Sequence, residues 1–135
     1  MEWSRHGYVL TDDPRRMDLD VAGSLLAGTY WAGSRSRQQI ELSLTHSTCF
    51  SLHRDSTQVG FCRAISDRVA CTYIMDFVVR SDHRRHGLGS WMMTCVLAYP
   101  DFVGSQFMLI TKDAQGFYRR FGFATHPYEC MVRTR

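Results

Sequence analysis

Two glycines one residue apart, Gly87 and Gly89, follow the pair Arg84 and Arg85 at the junction between an apolar run and a helical pattern. Without a Cβ in the way, backbone N–H groups there can converge on an anion, and a helix starting beside them adds its unpaired amides and positive dipole end. The chemistry on offer is a pyrophosphate seat; the bland alternative for Arg-x-x-Gly-x-Gly is a turn between a strand and a helix. Asp76 is the lone charge in the run Tyr73–Val79. Burial among apolar neighbours would make it a stronger base, unless it serves as a structural carboxylate bonded to a neighbouring strand. Glu41, Glu129 and His126 are reserve candidates for taking a proton. His83-x-x-His86 has metal-ligand spacing, but no third ligand is spaced to join the pair, and tetrahedral sites need three or four.

These residues need a strand, a loop and a helix to position them. Tyr73–Val79 is rich in β-branched and aromatic residues and lacks strict alternation, as a strand buried on both faces does. Leu88, Trp91, Met92, Cys95, Val96 and Tyr99 then share one helix face, and Pro100 stops the helix. A crossover to a parallel strand at 106–111 follows, because a tight turn cannot reach a parallel neighbour. Asp113 is placed to cap a last helix, Ala114–Arg120, with Gly122 at its end. Upstream, the pattern predicts a strand at 8–11 and a helix capped by Asp18 that ends near Gly28. Tyr30 and Trp31 fall on a connection, and Ser36-x-x-Gln39 opens a second helix that runs to about His46. Strands at Thr48–Arg54, Val59–Ser66 and Ala70–Val79 are joined by hairpins. The tail from Phe123 to Val132 reads as one or two closing strands. The fold class is α/β with a mixed sheet: an antiparallel front half leads into a central β-α-β-α unit.

With Arg84-x-x-Gly87-x-Gly89 after a strand, and Phe117-Tyr118-Arg119-Arg120-Phe121-Gly122-Phe123 some thirty residues on, the chain resembles the GCN5-related N-acetyltransferase (GNAT) superfamily. Residues 58–123 carry the likeness well and the rest loosely. Ile74–Gly89 is also similar to the matching part of spermidine/spermine acetyltransferases, a superfamily likeness rather than a substrate identity. Departures are Ser81 for a common proline, Arg85 for a common glycine, and Asp113 for an asparagine that often contacts the cofactor. The resemblance implies acetyl-coenzyme A as cofactor, its pyrophosphate on Arg84, Arg85, His86, Gly87, Leu88 and Gly89, and its pantetheine along the backbone of Phe77, Val78 and Val79. Asp113 and Tyr118 would complete the cofactor site. Tyr118 would also act as general acid to the leaving thiolate, since a thiol has a pKa of about 8.5 and a phenol about 10; otherwise it is one more packed aromatic. Asp76 would be the base, and Tyr30 and Trp31 would wall the acceptor pocket or else sit in the core. The implied activity is direct N-acetyl transfer to a primary amine of a small molecule, or to an exposed peptide or protein amine. The alternative is an acyl-coenzyme A sensor without turnover.

The 135 residues suffice for one domain, 1–135, with a substantial core. A net charge of +3 with dispersed arginines gives nucleic-acid binding little support. Five cysteines without a Cys-x-x-Cys read as reduced thiols. No stretch has the length of a membrane span and the start lacks the apolar core of a signal peptide, so a cytoplasmic location is expected. The partner is thus an amine acceptor rather than a membrane, with a homodimer left open. Neither the acceptor nor the choice between acetyl and longer acyl donors is written in these motifs.

Overall fold

The computed structural model describes residues 1–134. The strands β1 (Glu2–Arg5), β2 (Tyr8–Thr11), β3 (Thr48–Arg54), β4 (Thr57–Ser66), β5 (Cys71–Val79) and β6 (Gln106–Met108) lie in that order across one sheet. Neighbours are antiparallel up to β5, and β5 and β6 are parallel. The helices are α1 (Leu19–Ala27), α2 (Arg37–Thr45), α3 (Leu88–Leu97) and α4 (Gln115–Arg119).

Local chemistry sets most of these limits. Asp18 accepts from the amides of Asp20 and Val21 to start α1, and Ser36 and Gln39 close a reciprocal capping box on α2. Asp67 gathers the amides of Val69, Ala70 and Cys71 to turn β4 into β5. The helices cover both faces of the sheet. On one side Ala22, Leu26 and Ile40 of α1 and α2 pack with Phe61 and Val78; on the other Leu88, Met92, Met93 and Val96 of α3 pack with Phe50, Leu52, Cys62 and Ile74.

Four expectations need correcting. β1 is an additional strand, paired with β2 through a His6-Gly7 turn in which both residues have positive φ; its short, largely exposed sequence has no apolar alternation to mark it. β6 ends at Met108 rather than 111, and 123–132 forms no strand: Tyr128, Met131 and Val132 are exposed. Asp113 does not cap α4. Ala114 takes the cap position, its amide donating to the Thr111 hydroxyl.

One irregularity shapes the centre. Between the pairs Phe61↔Val78 and Arg63↔Met75, β5 carries one more residue than β4. The extra residue is a β-bulge at Asp76, whose φ of 52° lies in the left-handed region that aspartate tolerates better than most residues. Because strand side chains alternate, this insertion sends Ile74 to the α3 face and Val78 to the α1 face, four residues apart.

Candidate active site

β5 and β6 are paired only over Cys71–Tyr73 and Gln106–Met108, and beyond that they part. The edge of β5 that faced β6 is therefore open from Ile74 onward, and the opening continues as a groove of about 1060 Å³, at the large end for ligand pockets. At one end lies the start of α3. Arg85 and Gly87 both have positive φ, 66° and 70°, and Gly87 is the residue before the helix. The first helical bond runs from the Trp91 amide to the Gly87 carbonyl, leaving Leu88, Gly89 and Ser90 as the free donors of a helix start. Arg84 and Arg85 line this end, with the Arg84 Nε anchored on the Val79 carbonyl at 2.8 Å. Arg120 joins them from α4, its Nη2 3.3 Å from the Ser90 hydroxyl.

Tyr118 stands midway, half-buried, with its ring 6.4 Å from that of Phe77 and 5.8 Å from that of Phe123. Its hydroxyl makes no hydrogen bond among the described residues, and it lines the groove. Burial, helped by the neighbouring Cys62 and Tyr30, pushes the phenol up to about 12. Tyr118 thus stays protonated across the physiological range.

The far end is built by the α1–α2 connection. The Tyr30 hydroxyl accepts from the Lys112 amide at 2.9 Å, bridging the groove, and the Lys112 ammonium lies 5.3 Å from the Tyr30 ring. Trp31 packs edge-on against Tyr30 at 5.0 Å. The Trp31 indole donates to Asp76 Oδ1 at 3.2 Å, while Arg35 Nη1 and Arg63 Nε donate to Oδ2 at 2.7 and 2.8 Å. Asp76, only 4% exposed, is accordingly a counter-ion held on both oxygens. With Oδ2 already shared by two guanidiniums, the geometry weighs against the expected general base. The structural alternative, a carboxylate bound to the adjacent strand, describes it. Asp76 lines the groove, as does Asp113, exposed on the segment leading into α4; Glu41, Glu129 and His126 do not.

The structure therefore brings together the glycine loop apart from His86, which is exposed off the groove, with Phe77–Val79, Tyr118, Asp113, Tyr30 and Trp31, and adds Arg35, Lys112 and Arg120. Arg63 carried a readable signal: it is the lone charge of β4's apolar run, as Asp76 is of β5, and two such opposites on adjacent strands should pair. Arg35 lies in the stretch Gly33-Ser34-Arg35-Ser36, which has no periodicity from which to place it.

The model of the acetyltransferase (GNAT) domain family matches residues 45–125. The chain belongs to that family. A crystal structure assigned to the GNAT family from Xanthomonas campestris pv. campestris aligns with a TM-score of 0.92 at 31% identity, over 98% of this chain and 96% of that one. A GNAT acetyltransferase from Elizabethkingia anophelis, solved with acetyl-CoA bound, aligns with a TM-score of 0.68 at 15% identity, over 89% of this chain and 78% of that one, a likeness of fold. A Gibberella zeae protein named as a candidate acetyltransferase is 27% identical over 111 residues, 67% of this chain; the aligned part spans 63% of that relative's length. GNAT proteins are acyltransferases, and the mixed sheet with helices on both faces is theirs. Among the described residues no helix is long and apolar enough to cross a membrane.

Proposed function

We propose that this GNAT chain transfers acetyl from acetyl-CoA directly to a primary amine of a small molecule, or to an exposed peptide or protein amine. The observation that carries the reading is the parting of β5 from β6, which leaves an unpaired strand edge running to the start of α3. Pantetheine has amides of its own to pair with the backbone of Phe77, Val78 and Val79. The α3 amides and the loop Arg84-Arg85-His86-Gly87-Leu88-Gly89 suit the pyrophosphate, with Arg120 and Asp113 at the rim. That donor set fits coenzyme A, and the thioester supplied with it is the activated acyl group.

The chain's own residues then have two tasks. Tyr30 and Trp31 wall the amine's approach. The amine nitrogen, neutral when it attacks, forms the new C–N bond as the C–S bond breaks, and its proton passes to water in the groove. Tyr118 donates a hydrogen bond to the departing sulfur. At about 12 the phenol is a weaker acid than a thiol of about 8.5, so it steadies the thiolate while solvent completes the protonation.

Thiol release from acetyl-CoA in the presence of an amine panel, alongside calorimetry with coenzyme A, tests this. The expected result is coenzyme A binding and amine-dependent release. Binding without release from any amine would favour the sensor, and absence of binding would mean that the groove has been misread.

A further inference from the structure

We propose that the acceptor carries an anionic group, a carboxylate or a phosphate, close to its amine, and that Arg35 binds it. The inference rests on the acetyl-transfer reading and specifies its second substrate. The two arginines on Asp76 differ in what they have left to give. Arg63 is buried and fully engaged: Nε on Asp76, Nη1 on the Ser47 hydroxyl at 3.0 Å, and Nη2 against the Met75 sulfur at 3.2 Å. Arg35 spends one donor on Asp76 and has no other protein partner among the described residues, while its side chain keeps 21% of its surface and lines the groove.

The charges point the same way. Arg35, Arg63 and Asp76 sum to one positive charge in a cluster of which Arg63 and Asp76 are buried and Arg35 faces the groove, where an anion would balance it. Lys112 stands across the groove beside Tyr30, without an acidic partner among the described residues. Among the described residues, Asp113, which is exposed, is the only carboxylate on the groove besides Asp76. A guanidinium held in one orientation by its Asp76 bond presents its remaining N–H groups as a fixed fork, the geometry that carboxylate and phosphate oxygens accept best. A polyamine finds the opposite. The acid of the spermidine/spermine-like segment, Asp76, is already consumed by two arginines.

The test compares amines matched except for the anion: glycine with glycinamide, and phosphoethanolamine with ethanolamine, with spermidine as the cationic extreme. Thiol release should show kcat/KM at least tenfold higher for one or both anionic members, and the better of the two identifies carboxylate or phosphate. Arg35→Gln should collapse that ratio toward one, and Arg35→Lys should restore part of it, while coenzyme A affinity is unchanged. Neutral or cationic amines matching the anionic ones would overturn the proposal. Should no amine react, calorimetry on the coenzyme A-loaded protein reads the seat directly. Phosphoethanolamine or glycine binding at least tenfold tighter than its neutral partner would support the anion site even as the transfer reading fell; equal affinity, or no binding, would overturn it.

Discussion

Replacing Tyr118 with phenylalanine removes one oxygen and leaves the ring packed against Phe77 and Phe123. Turnover at saturating acetyl-CoA should fall by about 10- to 100-fold, the modest range for a donor to a good leaving group, with coenzyme A affinity unchanged. Unchanged turnover, with chemistry rate-limiting, would return Tyr118 to packing. Asp76 gives the opposite contrast. Asp76→Asn takes the charge from between two guanidiniums, one of them buried, and should cost about 3 kcal/mol or more in denaturant unfolding, the loss expected when a buried ion pair is broken from one side. A variant of normal stability that lost turnover and its pH dependence would restore the base. Tyr118 was legible in the sequence because its neighbours announce it. The role of Asp76 was not, because a lone acid in an apolar strand looks the same whether its partners are a substrate amine or arginines 13 and 41 residues away.

Elements were readable where the signal is local: the Asp18 cap, the Ser36/Gln39 box, and the strand-loop-helix around Gly87. What sequence could not give was the bulge, since one extra residue in β5 shows only against β4. Gly60 reports on that region. A Cβ there would lie 2.7 Å from the Val78 carbonyl oxygen and 3.3 Å from the Val79 Cα, both backbone atoms that cannot swing aside. Gly60→Ala should therefore cost about 1–3 kcal/mol, the range for overpacking, seen as a lower urea midpoint. At the other end of β5, Gly87→Glu forces a side chain onto a φ of 70° and sets a like charge against the pyrophosphate. Calorimetry should find coenzyme A binding abolished in a protein that still folds; retained affinity would put the phosphates elsewhere.

The whole molecule should weaken in alkali. Burial pushes Tyr118 and the Cys49 thiol up to about 12, carries Cys62 well above its usual value, and with the Asp12 bond holds Tyr99 at about 12. Between each group's ordinary value, about 8.5 for a thiol and 10 for a phenol, and its raised one, the unfolded chain has lost the proton and the folded chain still holds it. Stability is thus fully present below about pH 8.5 and lost as pH climbs through 10 toward 12. Urea midpoints between pH 8 and 11 should fall, more steeply above 10; a flat profile would contradict these burials. At this scale the sequence delivered the family and the mixed sheet. It failed at the two ends, where β1 is held by pairing with β2 and by Trp3 packed on Phe50 and Tyr99, and the tail finds no strand to join.

The bulge at Asp76 does two jobs with one residue. Its backbone makes the insertion at the head of the open slot, and its carboxylate holds the Trp31 indole and the Arg35 guanidinium on the facing connection. Slot and mouth thus share one residue, so a change at Asp76 would disturb the unpaired strand edge and the acceptor wall together.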